Sequence, residues 1–115
     1  MYKMVIVVRK DLKMRRGKEI AQAGHGVILA YLSSRKDKID NWFELGNQAK
    51  ITVSCPDEYT LLDLARICKE TDINHSLVLD SGKTEFHNKP TYTVLAVGPD
   101  KNEIIDEITG HLTLY

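Results

Sequence analysis

A chain of 115 residues, 43% hydrophobic and 28% charged, has room for one domain, residues 1–115, with a core large enough to fold without disulfide or metal staples. Its apolar runs are too short to cross a bilayer, and its start lacks an apolar stretch ending in a small-residue cleavage site, so the expected location is the cytoplasm. The formal net charge is zero, yet seven cations against Asp11 give the first eighteen residues +6 and leave −6 for the rest. Such a basic pole suits a polyanion bound at one site, while plain solvated lysines are the competing explanation.

The continuous apolar run Met4 to Val8 predicts a strand, Lys3 to Arg9, covered on both faces. A helix over Gly17 to Ser34 follows, with Ile20, Gly24, Val27, Ile28 and Tyr31 recurring as its apolar stripe. At about 100° per residue, Lys18, Gln22 and His25 fall on a separate narrow stripe, so a cation, an amide and an imidazole point one way. Lys18 sits near the positive end of that helix, where a compensating anion is expected. A short aromatic-bearing segment around Trp42 and Phe43 adds a turn or two, with Trp42 bracing the first helix.

Lys50 to Ser54 reads as a second strand. Cys55-Pro56-Asp57-Glu58 reads as a helix start with Pro in the first turn, and Leu61, Leu62, Leu64, Ala65 and Cys68 face the core. His75 to Leu79 and Thr91 to Val97 are further strands, and the last helix opens at Asp100 with Glu103 at capping-box spacing and closes at Gly110. This order implies a three-layer α/β/α domain with a four-stranded mixed sheet. Asp80 to Pro90 is too long for a tight hairpin and is rich in polar residues, as functional loops at strand ends are.

Several chemistries drop out. Cys55 and Cys68 lack the spacing of a redox or zinc pair and read as reduced core thiols, and the four histidines show no metal spacing, so no metal is expected. Gly82-Lys83-Thr84 invites a P-loop reading, which fails because Leu77 stands where the first glycine belongs and a loop follows instead of a helix. What remains is Lys18 and Asp80: were the ends of the first and third strands to share one rim, a carboxylate handling water beside an oxyanion-stabilising ammonium could hydrolyse an activated ester. Thr84 and Thr93 could add hydroxyl hydrogen bonds, and a purely structural Lys–Asp pair is the alternative.

These residues resemble a known family, the archaeal and eukaryotic type of peptidyl-tRNA hydrolase. The likeness runs over nearly the whole chain, through Asp11-Leu12-Lys13-Met14, Gly17-Lys18, Ala21-Gln22, His25, Asp80, Gly82, Thr84, Thr93-Val94-Leu95, Gly98-Pro99 and Thr109-Gly110-His111-Leu112. It implies cofactor-free cleavage of the ester joining a peptide to the 3′ ribose of a transfer RNA. By the same likeness Lys18, Asp80, Thr84 and Thr93 are catalytic and Gln22 and His25 line the cleft. Lys13, Arg15, Arg16 and Lys83 would contact the acceptor stem and 3′ end without reading sequence, with no membrane partner and with a homodimer as a possible assembly. Arg15-Arg16 stands for the family's usual Gly-Lys, Lys83 for an arginine, and the 85–91 loop is one residue longer. A non-catalytic RNA-binding or adaptor module of the same fold is the alternative function, and another ester or amide on a nucleotide-like carrier is a third.

Overall fold

The computed structural model describes residues 1–83, 86 and 88–115. Five strands, β1 (Tyr2–Arg9), β2 (Lys50–Cys55), β3 (His75–Asp80), β4 (Thr91–Lys101) and β5 (Thr113–Leu114), form one sheet in the order β3-β4-β1-β2-β5. β1 and β2 run parallel, and β4 runs antiparallel to both β1 and β3. Four helices, α1 (Arg16–Ser33), α2 (Lys36–Glu44), α3 (Glu58–Glu70) and α4 (Asn102–Thr109), complete a mixed α/β architecture. β5 joins the four expected strands as a two-residue addition at the β2 edge.

Alternation along the central strands explains the layers. Val5 and Val7 of β1, with Leu95 and Val97 of β4, pack with Leu61, Leu64 and Cys68 of α3 and with Ile105 and Ile108 of α4. The intervening Ile6, Val8 and Val94 meet Ala23 and Val27 of α1, while Met4 and Ala96 meet Ala30 and Trp42. Strands buried on both faces need apolar residues at every position, and the unbroken run in β1 reflects that. Trp42 is 2% exposed and donates its Nε1–H to the Ala49 carbonyl at 2.9 Å.

Three local expectations are corrected. The buried face of α1 carries Gln22, Gly26 and Ala30, whereas Ile20, Ile28 and Tyr31 of the expected stripe are 67%, 51% and 37% exposed. The reason is the closeness of the helix to the sheet: a Cβ on Gly26 would stand 3.3 Å from Ala96 Cβ and from Val94 Cγ1, so only small residues fit there. Asp100 is a strand residue and not a cap; it accepts from Lys38 Nζ at 2.9 Å, and α4 begins after Lys101 without a side-chain cap. Pro56 lies before the cap of α3, and Asp57 takes that role by accepting from Thr60 N at 2.8 Å.

Candidate active site

The sheet order puts the C-terminal ends of β1 and β3 at one rim, flanking the start of β4. They are not neighbours; α1 packs over β4 and β3 and closes the distance. Its start is fixed from below by Met14, 7% exposed in the cluster with Ile6, Val8 and Val94. It is fixed from the side by Arg9, whose Nη1 donates to the Tyr92 carbonyl at 3.0 Å and whose Nη2 pairs with Asp11 at 2.7 Å. Lys13 turns the chain in a left-handed conformation, φ 51°.

From this start Lys18 reaches the last residue of β3. Its Nζ lies 2.9 Å from Asp80 Oδ1, with only 14% and 11% of the two side chains exposed. Gln22, one turn on, gives its Nε2–H to the same oxygen at 3.3 Å. Thr93 of β4, fully buried, donates its hydroxyl to Gln22 Oε1 at 2.6 Å. The carboxylate, which only accepts, fixes which end of the amide points at Asp80, and so turns Gln22 Oε1 toward the Thr93 hydroxyl. The other oxygen, Oδ2, accepts the Gly82 N–H at 2.9 Å. Gly82 has φ +83°, and a Cβ there would fall 2.1 Å from the Lys89 carbonyl oxygen, so the turn requires glycine.

The electrostatics follow from these contacts. Burial pushes the Asp80 carboxyl up, but the Lys18 ammonium, the Gly82 N–H and the Gln22 amide together outweigh it and hold the group below the ordinary carboxylate value. Asp80 is therefore ionised at neutral pH. The Phe86 ring lies 5.7 Å from Lys18 Nζ and screens it from one side. Burial raises both thiols, Cys68 to about 12, so neither is a thiolate nucleophile at neutral pH.

Of the residues singled out in the sequence, Lys18, Gln22, Asp80 and Thr93 thus form one bonded chain. Thr93 meets it from beneath, at 0% exposure, and not from the solvent side. His25 is exposed and lines the same cavity as Gln22 and Asp80. Lys13, Arg15, Arg16 and Lys83 are exposed around the rim, and Thr84 lies outside the described residues. The basic pole is smaller than the charge count implies: Arg9 is 8% exposed and paired with Asp11, and Lys3 pairs with Asp106. Sequence reasoning missed the Gly82 N–H and Phe86; a lone aromatic in a polar loop was the available sign of the latter.

The family model of Peptidyl-tRNA hydrolase PTH2 matches residues 2–115. The chain belongs to this family. It is 45% identical over 112 residues to Peptidyl-tRNA hydrolase of Methanothermobacter thermautotrophicus, covering 97% of this chain and 98% of that one. With the Methanocaldococcus jannaschii protein of the same name it shares 39% over 115 residues, covering 97% and 98%. Peptidyl-tRNA hydrolase 2, mitochondrial, of mouse is 42% identical over 116 residues; the match takes in 99% of this chain and spans 64% of the mouse protein's length.

Proposed function

We propose that this protein is a carboxylic ester hydrolase that cuts the bond between a peptide and the 3′ ribose of tRNA, freeing the tRNA for reuse in translation. The observation that carries the proposal is the 2.9 Å Lys18–Asp80 contact at the rim of a chain that belongs to the PTH2 family. Asp80, ionised and held by three donors, orients a water against the ester carbonyl. Its lowered pKa makes it a weak base, which favours orientation over complete proton abstraction. As the water oxygen bonds to the carbonyl carbon, the carbonyl electron pair moves onto oxygen, where the Lys18 ammonium stabilises it. Collapse breaks the bond to the 3′ oxygen, which departs with one proton of the water while the other passes to solvent, leaving free tRNA and a peptide carboxylate. Thr93 acts through Gln22 to set the carboxylate, and Thr84 is assigned to the reacting groups by family likeness alone.

Lys13, Arg15, Arg16 and Lys83 hold phosphates of the acceptor stem and 3′ end, and His25 lines the cleft beside them. The catalytic unit is one domain spanning 1–115, supported by the single sheet that contains every strand among the described residues, and its place is the cytoplasm, supported by two free buried cysteines. No described helix is long and apolar enough to cross a membrane. A homodimer is supported by the exposed Leu32 (70%) of α1, Phe43 (43%) of α2 and Leu45 (56%) just past the end of α2.

The deciding experiment incubates the purified chain with N-acetylaminoacyl-tRNA and follows release of free tRNA. Lys18→Ala and Asp80→Ala should each lower kcat by about 10²-fold or more, the scale of losing one positioned electrostatic or acid–base group. Turnover surviving both substitutions would remove these residues from the mechanism, and tight tRNA binding without cleavage would leave an RNA-binding module.

A further inference from the structure

Beside Asp80 the surface changes character. A cavity of ≈ 260 Å³ extends from Gln22 and Asp80 between α1 and β3, walled by Ile28, Leu29, Val78 and Leu79. Three of these are large apolar side chains left in water: Ile28 is 51%, Leu29 45% and Leu79 54% exposed. Its described lining residues include no Lys and no Arg, and His25 carries the one ring among them. The exposed cations Arg15 and Arg16 stand at the opposite end of α1, before Lys18, and roughly 15 Å of helix separates Lys18 from Ile28.

The scissile ester joins two unlike halves. On one side is a polyanion that needs cations; on the other is a peptide whose last side chain branches from the atom next to the reacting carbonyl carbon. A surface with cations on one flank of the Lys18–Asp80 pair and aliphatic walls on the other matches that polarity. The terminal adenine would find the His25 ring alone to stack on, whereas the four aliphatic side chains match an apolar amino-acid side chain.

We propose that this cavity is the acyl subsite: it receives the side chain of the peptide's C-terminal amino acid and favours an apolar one. This rests on the hydrolase reading above. The test uses one tRNA acylated with N-acetyl-leucine, N-acetyl-glycine or N-acetyl-aspartate, and compares kcat/KM for wild type, the double variant Ile28→Ser/Leu79→Ser and the conservative Ile28→Val. Comparing ratios between enzymes cancels the intrinsic reactivity of each ester. Wild type should prefer leucine to glycine by about tenfold or more. The double variant should bring that ratio close to one, and Ile28→Val should preserve it. Both substituted positions are solvent-exposed, and a melting curve verifies folding of each variant. A fall by one common factor on all three substrates would overturn the assignment and give the wall to the RNA end; so would an unchanged ratio. Wild type cleaving all three substrates alike would sink the subsite and spare the hydrolase. Wild type releasing tRNA from none would sink both.

Discussion

Asp80 owes its properties to neighbours that come from separate parts of the chain, so its behaviour is the most sensitive single reporter of the site. Its pKa lies below the ordinary carboxylate value because Lys18, Gly82 and Gln22 outweigh burial. A group whose folded pKa is depressed contributes stability above the unfolded pKa and loses it as pH falls through the folded value. The Asp80 contribution should therefore be complete at neutral pH and disappear only in acid beyond the ordinary carboxylate range. A carbon-13 NMR titration of the Asp80 carboxyl should give a midpoint below 3.8, the reference value for the group. In Lys18→Met the midpoint should rise, because burial then meets less opposition; no rise would mean that the ammonium does not set the charge state. The sequence made Lys18, Gln22 and Asp80 visible through helical spacing and position at a strand end. It could not reveal that Thr93 points inward at full burial, because a threonine in a strand presents the same letters whether it faces substrate or an amide underneath.

Helix α1 carries most of the site, and its packing shows where pattern reading misleads. Two stripes on it compete for the core. The more hydrophobic one, with Ile20, Ile28 and Tyr31, stays outside, while the buried one is built from Gln22, Gly26 and Ala30. Large apolar residues signal burial only when the partner surface leaves them room; here the helix lies so close to β4 that small residues are required. Gly26→Leu should consequently lift α1 from the sheet and cost about 1–3 kcal/mol, the usual penalty for overpacking. Because Lys18 and Gln22 ride on the same helix, kcat should fall with it even though Gly26 touches no reacting group. A denaturant melt and a turnover assay on one preparation check both halves, and a fully stable variant would refute the close-packing argument. At the other termini the sequence signals were off by one or two positions. Asp100 has the right spacing for a cap but is consumed by Lys38. β5 is too short for any periodicity to announce; pairing with Val53 and Ser54 and the Tyr115 hydroxyl bonded to Glu19 hold it in place.

Across the whole molecule, the basic pole counted in the sequence spreads over several places, with Lys3 and Arg9 in ion pairs on the β1 strand and other cations exposed at the start of α1. Lys3 lies at the far end of β1 on Asp106, and Arg9 is buried against Asp11 and β4. Lys13, Arg15 and Arg16 are exposed at the start of α1. Removing a cation that touches one phosphate should reduce the slope of log K against log salt by about 1. Binding titrations with tRNA across a salt series should show that change for Arg15→Ala and Arg16→Ala and none for Lys3→Ala; an equal effect of Lys3→Ala would remove the RNA from this rim. Composition alone could give the number of cations but not this division, which depends on the strand order β3-β4-β1-β2-β5. That order also decides the site, since β1 and β3 end at the same rim only because β4 returns between them.

In the proposed mechanism the Lys18 ammonium and the Asp80 carboxylate work as one unit on the ester. Single-turnover cleavage of N-acetylaminoacyl-tRNA by Lys18→Ala, Asp80→Ala and the double variant measures that directly. Groups that act together are strongly non-additive, so the double variant should be scarcely slower than the slower single one. A double variant whose loss equals the product of the two single losses would show the residues acting independently and contradict the account.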